Sequence, residues 1–171
     1  MRKQIGFTLI ELMITLVIMV VVLRIAVPSF LTTIANNRLL TQANELANSV
    51  QYARSEAIKR TTSVSICSST NKTGCNGGTT WTMGWIVFAD TDGDAVVDAG
   101  ETLLRVFDGS TSGNTITTPA ATSLIFLSTG LRTTGSADVV LTVANTGCKG
   151  NFKRTVTVNA IGRSSVAKLN C

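Results

Sequence analysis

The sequence predicts an α+β chain: one long amino-terminal helix, apolar in its first half and amphipathic in its second, packed on an antiparallel β-sheet or β-sandwich domain. Three observations predict it. Residues 7–23 (FTLIELMITLVIMVVVL) carry a single charge, Glu11. Further on, Leu39, Ala43, Leu46, Val50, Ala53 and Ala57 recur at steps of three and four, the helical period. Beyond Thr61 the period drops to two, and Gly-, Ser- and Asn-rich turns punctuate the chain.

The chain has 171 residues, about one ordinary domain, and its mean hydropathy of +0.32 is high for a wholly soluble protein. The excess sits at the amino end. A basic leader, residues 1–6, holds Arg2 and Lys3 and runs straight into the apolar stretch, without the small-residue cleavage site that follows a secretory signal core. As a helix, residues 7–27 extend about 30 Å, the thickness of a bilayer's hydrocarbon core. Arg2 and Lys3 keep the amino terminus cytoplasmic, and Arg24 snorkels to the far headgroups.

Residues 28–60 form the amphipathic half, with Pro28 bending the helix. Its stripe from Leu39 to Ala57 should lie on the globular domain, with Glu45, Arg54, Glu56, Lys59 and Arg60 on or near the solvent side. Residues 61–171 form the β domain. Val64 and Ile66 alternate with Ser63 and Ser65, and Trp81, Met83, Trp85 and Val87 alternate too, as half-buried strands do. Residues 102–107, 123–128, 138–143 and 153–161 are further strand candidates, about seven short strands in all. Residues 109–114 (GSTSGN) read as a flexible loop.

The cysteines Cys67, Cys75, Cys148 and Cys171 match none of the short paired spacings of zinc sites. Disulfides are the expected use, in an oxidising compartment such as a periplasm. Of three possible pairings, Cys67–Cys75 and Cys148–Cys171 close local loops and are favoured.

With no histidine, imidazole acid/base chemistry and His-ligated metals are excluded, and no constellation for nucleophilic catalysis remains. An enzyme is not expected. The formal charge of +5 is uneven. Asp90, Asp92, Asp94, Asp98 and Glu101 crowd one loop, at the first, third, fifth, ninth and twelfth positions of an EF-hand-type calcium loop, with Ala95 where the turn wants glycine. The strand-like flanks favour a hairpin tip with solvated acids; bound calcium is the alternative. Lys149, Lys153, Arg154, Arg163 and Lys168 follow the last acid, Asp138. Such a tail is either a solvated basic edge or a phosphate-neutralising stripe for DNA.

Glu11 is the residue a plain anchor would not carry, because a carboxylate in an apolar span is costly and needs a partner. The segment Gly6-Phe7-Thr8-Leu9-Ile10-Glu11 resembles the processing motif of type IV prepilins and type II secretion pseudopilins. The resemblance implies that a prepilin peptidase cuts between Gly6 and Phe7 and methylates the new amine. It also implies that Glu11 pairs with the Phe7 ammonium of a neighbouring subunit. Residues 46–65 (LANSVQYARSEAIKRTTSVS), 85–90 (WIVFAD), 98–101 (DAGE) and 160–163 (AIGR) are similar to the FimU, FimT and GspH group of minor pilins and pseudopilins.

What that likeness implies is a low-copy pilus subunit, held first in the inner membrane with a periplasmic domain and then in the cell-surface filament. There it would help initiate assembly and twitching motility beside other minor pilins and the major pilin. Two alternatives follow from the same likeness. One is a DNA-uptake subunit, whose Gly-Arg-x-Arg tail motif keeps only its first arginine here, in Gly162-Arg163-Ser164-Ser165. The other is a minor pseudopilin of a type II secretion system.

Overall fold

The structure, a computed structural model, describes residues 6–110, 113–119, 121–133, 137–145 and 152–171. The leader residues 1–5, Cys148 and Lys149 lie outside them. The chain divides into two units, Met1–Ala35 and Asn36–Cys171. One helix, α1 (Leu9–Arg60), contributes to both and continues through Pro28.

In the first unit α1 starts two residues later than the apolar run. Thr8 explains the start: its Oγ1 accepts from the Glu11 N–H at 3.4 Å, as the threonine of a T-x-x-E amino-terminal cap does. The apolar residues of this unit, Phe7 and Met13 among them, are solvent-exposed. Such a face is a membrane or partner surface, and α1 is the one helix among the described residues long and apolar enough to cross a bilayer.

The second unit contains β1 (Val64–Ser68), β2 (Gly84–Ala89), β3 (Leu103–Asp108), β4 (Asn114–Thr117), β5 (Ser123–Phe126), β6 (Val139–Asn145), β7 (Phe152–Val158) and β8 (Ser164–Asn170). They make two four-stranded sheets, ordered β3-β2-β1-β5 and β4-β6-β7-β8. All pairings are antiparallel. The predicted stripe of α1 is fully buried and meets both sheets in one core: Ile66, Trp85 and Phe126 from the first, Leu141, Val143 and Val156 from the second.

Several expectations are corrected. Two strands among the described residues were missed, β4 and β8, and Asn114, assigned to a flexible loop, opens β4. It is buried there, donating through Nδ2 to Gln42 Oε1 at 3.1 Å. The alternation from Trp81 to Val87 is not a half-buried strand either. Trp81 is buried in a turn before β2, Met83 is exposed, and all six residues of β2 are buried. The reason is a second small cluster, Cys67, Ile86 and Phe88 with Cys75 and Val97, covering the outer face of the first sheet. The Cys67–Cys75 disulfide fastens this cover. On α1, Glu56 is not at the solvent side: it is buried, with Arg60 Nε at 2.7 Å and Lys59 Nζ at 3.5 Å. The hydrogen bond from Arg60 leads in holding the Glu56 carboxyl below the usual range.

Candidate functional site

Three places drew functional expectations, and the structure treats them differently. The first is the amino-terminal motif. Gly6, Phe7 and Glu11 are all exposed on or just before the first turn of α1. The Glu11 side chain makes no ion pair among the described residues. In this apolar surface an ionised carboxylate is compatible with hydrocarbon only if a cation reaches it.

In the acidic loop, joining β2 to β3, Asp92, Asp94 and Asp98 are exposed, as a hairpin tip with solvated acids requires, but Asp90 is not. Asp90 is fully buried; it accepts from Ser65 Oγ, from the Gly93 N–H at 2.8 Å and from the Ala95 N–H at 3.0 Å. Asp94 accepts from the Val96 N–H at 2.7 Å, and Glu101 from the N–H groups of Thr91 at 2.7 Å and Asp98 at 3.2 Å. The carboxylates therefore satisfy the backbone of a turn that has no ladder to do so. Ala95 takes φ +63°, the left-handed conformation glycine would supply. One oxygen each from Asp90, Asp92 and Asp94 lies within 4.8 Å of the others. Asp98 is held above the usual carboxylate range, first by partial loss of solvent and next by repulsion from Asp94.

Replacing Asp90 with Ala should cost about 2–4 kcal/mol, because it strands the buried Ser65 hydroxyl and two N–H groups. Thermal unfolding of the full chain in detergent checks this. A loss of the same size with calcium and with chelator identifies a structural staple; a loss confined to calcium-containing buffer identifies an ion ligand.

Among the described residues the basic tail does not form one stripe. By register Arg154 faces Lys168 directly across β7–β8, with Lys153 beside them facing Leu169. Arg163 lies in the turn at the other end of the same hairpin, about 17 Å from Lys168 at the strand rise of 3.3–3.4 Å per residue. That turn is fixed to α1: Gln51 Nε2 donates to Ser164 Oγ at 2.9 Å and Arg54 Nε to the Gly130 carbonyl at 3.0 Å. Gly162, at φ +75°, passes so close that a Cβ would lie 2.6 Å from that same Gly130 oxygen. Gly162 thus serves a tight helix–hairpin junction, and the Arg163 side chain is exposed beside it. Cys171, just after β8, is disulfide-bonded.

A groove of about 440 Å³ lies between α1 and β3, lined by Thr41, Asn44, Glu45, Asn48, Arg105 and Phe107. Sequence reading missed it, because it depends on the order of strands in a sheet.

Comparison with known proteins places the chain. No curated protein matches the sequence. Among solved structures, the Pseudomonas aeruginosa type IV minor pilin FimU is similar at 24% identity and a TM-score of 0.55, over 75% of this chain and 92% of that one. A second crystal form of it gives 23% and 0.58, over 78% and 90%. The minor pseudopilin EpsH of the Vibrio cholerae type 2 secretion system gives 14% and 0.52, over 78% and 97%. These likenesses establish a shared fold. The profile described as "Prokaryotic N-terminal methylation motif" matches residues 1–26. The profile described as "Type II transport protein GspH" matches residues 42–162, from the second half of α1 to the β7–β8 turn. With most of its length matched in that way, the chain belongs to the GspH family, within the group of minor type IV pilins and pseudopilins.

Proposed function

We propose that the protein is a minor type IV pilin, made as a prepilin and anchored in the inner membrane by the apolar half of α1. A prepilin peptidase cuts between Gly6 and Phe7 and methylates the Phe7 amine. The mature subunit joins other minor pilins in a complex that primes or caps the filament above the major pilin, and so serves pilus assembly and twitching motility. Its role is structural: no catalytic constellation is part of this reading. A single observation carries it. The methylation motif puts Gly6, Phe7 and Glu11 in register at the start of an exposed apolar helix. There a neighbour's freshly exposed ammonium is the cation that Glu11 lacks among the described residues of its own chain.

The second reading, a minor pseudopilin of a type II secretion system, is favoured by the matched family's description as a type II transport protein. It shares the processing chemistry. Capture of DNA for uptake is a further reading; among the described residues Arg163 stands apart from Lys153, Arg154 and Lys168 along the hairpin.

Mass spectrometry of the protein from producing cells tests the proposal. The expected amino terminus is N-methylated Phe7; an intact, unmethylated Met1 overturns both readings. Copurification then separates them, according to whether pilus or secretion subunits accompany the mature chain.

A further inference from the structure

We propose that one end of the second unit pairs with the same end of a second copy of this chain. A basic-rimmed apolar patch of Ile58, Leu127, Leu131 and Ile161 receives the acidic β2–β3 loop of the other copy and gives its own loop in return. The pairing uses the second unit alone and holds whichever filament the chain serves.

Strand direction puts both halves of this surface at one end. β1 starts at Val64, soon after α1 ends at Arg60. Val64 pairs with Ala89, the last residue of β2, on one side and with Phe126, the last of β5, on the other. The acidic loop therefore leaves the sheet from β2 and the 127–131 turn leaves it from β5, about 9–10 Å apart across β1. That turn is closed by the Gly130 N–H on the Leu127 carbonyl at 2.7 Å and the Leu127 N–H on the Leu131 carbonyl at 2.8 Å. Helix and hairpin meet it there: a Cβ on Gly130 would lie 2.8 Å from Ile58 Cδ1, and one on Gly162 2.6 Å from the Gly130 oxygen. Ile58, Leu127, Leu131 and Ile161 are therefore neighbours, and they are 48%, 37%, 44% and 50% exposed. Single exposed aliphatic residues are ordinary, but a group of them marks a contact surface.

Charge decides what covers the patch. Arg54, Lys59, Arg60, Arg132 and Arg163 lie on the helix end and turns that form it. The acids on this side among the described residues are Glu56, buried against Arg60 and Lys59, and Asp138, which precedes β6 and acts on Arg132. Cations outnumber acids, so the rim is basic and calls for an acidic partner with an apolar centre. The β2–β3 loop of this same chain has that make-up: Asp92, Asp94 and Asp98 are exposed, and Val96 among them is 52% exposed. Partial loss of solvent, and then repulsion from Asp94, Asp92, Glu101 and Asp90, keep Asp98 above the usual carboxylate range, a repulsion that an incoming cation would relieve. Turning a second copy through half a circle about an axis beside Val64 sets each loop on the other's patch. Both contacts then form together, as a closed two-fold pair requires.

The experiment mixes equal amounts of unlabelled and nitrogen-15-labelled full chain in detergent and couples carboxylates to amines with a carbodiimide. Mass spectrometry should find Lys59 joined to Asp92, Asp94 or Asp98 in peptides of mixed isotope, which only a link between two copies can give. Arg163→Glu and Asp98→Lys exchange exposed charges, and the Asp98 carboxylate makes no hydrogen bond among the described residues. Each substitution alone should lower the mixed-isotope links at least about tenfold, as like charges set face to face do. Combining the Arg163→Glu chain with the Asp98→Lys chain should restore them, because one reciprocal contact is then native and the other is reversed on both sides. Links of single isotope only, formed within one chain, overturn the proposal. Mixed links that neither substitution lowers overturn it too, since they come from contact between the apolar halves of α1 in one micelle. Loss in both variants without recovery on combining them overturns the two-fold arrangement.

Discussion

A chain carrying Glu11→Gln is expected to insert into the membrane as well as the wild type and to reach filaments at least about tenfold less often. Insertion depends on apolar length, which the substitution leaves alone. Incorporation, on the proposed pairing, depends on a carboxylate meeting a neighbour's ammonium in hydrocarbon. Removing one partner of such a pair strands the other, at a cost of about 3–5 kcal/mol. The local role of the same residue has to be separated from this. The Glu11 N–H bonds Thr8 Oγ1, and Glu11 occupies the third position of the helix, where its side chain could also serve the cap. Glutamine keeps that capping ability and loses only the charge. Thr8→Ala does the reverse, removing the cap for about 1 kcal/mol while keeping the carboxylate. Quantitative immunoblots of sheared filaments and membranes should therefore show Glu11→Gln depleted from filaments and Thr8→Ala close to normal. The opposite order would make Glu11 a capping residue only.

The largest loss of stability should come from Trp85→Ala, at about 3–5 kcal/mol. Trp85 is fully buried where α1 meets the first sheet and stacks on Phe107 with ring centroids 5.4 Å apart. Its Nε1 donates to Ser49 Oγ at 2.9 Å. Truncation opens a cavity and leaves a buried hydroxyl short of a donor. Trp81 supplies the control: it is equally buried, but its Nε1 has no partner among the described residues. Trp85→Phe should accordingly cost more than Trp81→Phe by roughly the worth of one hydrogen bond, about 1 kcal/mol. Thermal unfolding followed by near-ultraviolet circular dichroism would compare all three; equal losses for the two phenylalanine variants would remove the Ser49 bond from the explanation.

What the sequence made legible was whatever obeys a single local period. The stripe from Leu39 to Ala57 faces one core, so its spacing of three and four survives intact in the fold, and the ends of α1 and β1 follow from it. Strands with two apolar neighbours behave differently. In β1 and β2 both faces are covered, so Ser65 and Phe88 are as buried as Ile66 and Val87, and alternation carries no information about exposure. Edge strands fail for the opposite reason. β4 has one apolar residue, Ile116, and β8 is half-buried or exposed throughout; their pairing is decided by neighbours far away in the chain. The same distance effect hid the role of Asp90. Its charge invited a solvent or metal reading, yet its partners include Ser65, twenty-five positions earlier. Gly6, Phe7 and Glu11 were readable because processing chemistry demands them within six consecutive residues.

Within the second unit α1 is a wall of the core, held there by its buried stripe. A load applied along the axis of α1 in this unit runs parallel to the interface, so the stripe from Leu39 to Ala57 would be strained in shear along its whole length instead of being peeled one turn at a time. The bonds from Asn114 to Gln42, from Gln51 to Ser164 and from Arg54 to Gly130 cross that interface at three heights and share the tension. A domain wired this way resists such a load by stretching many contacts together, a property that the proposed place in a filament would use.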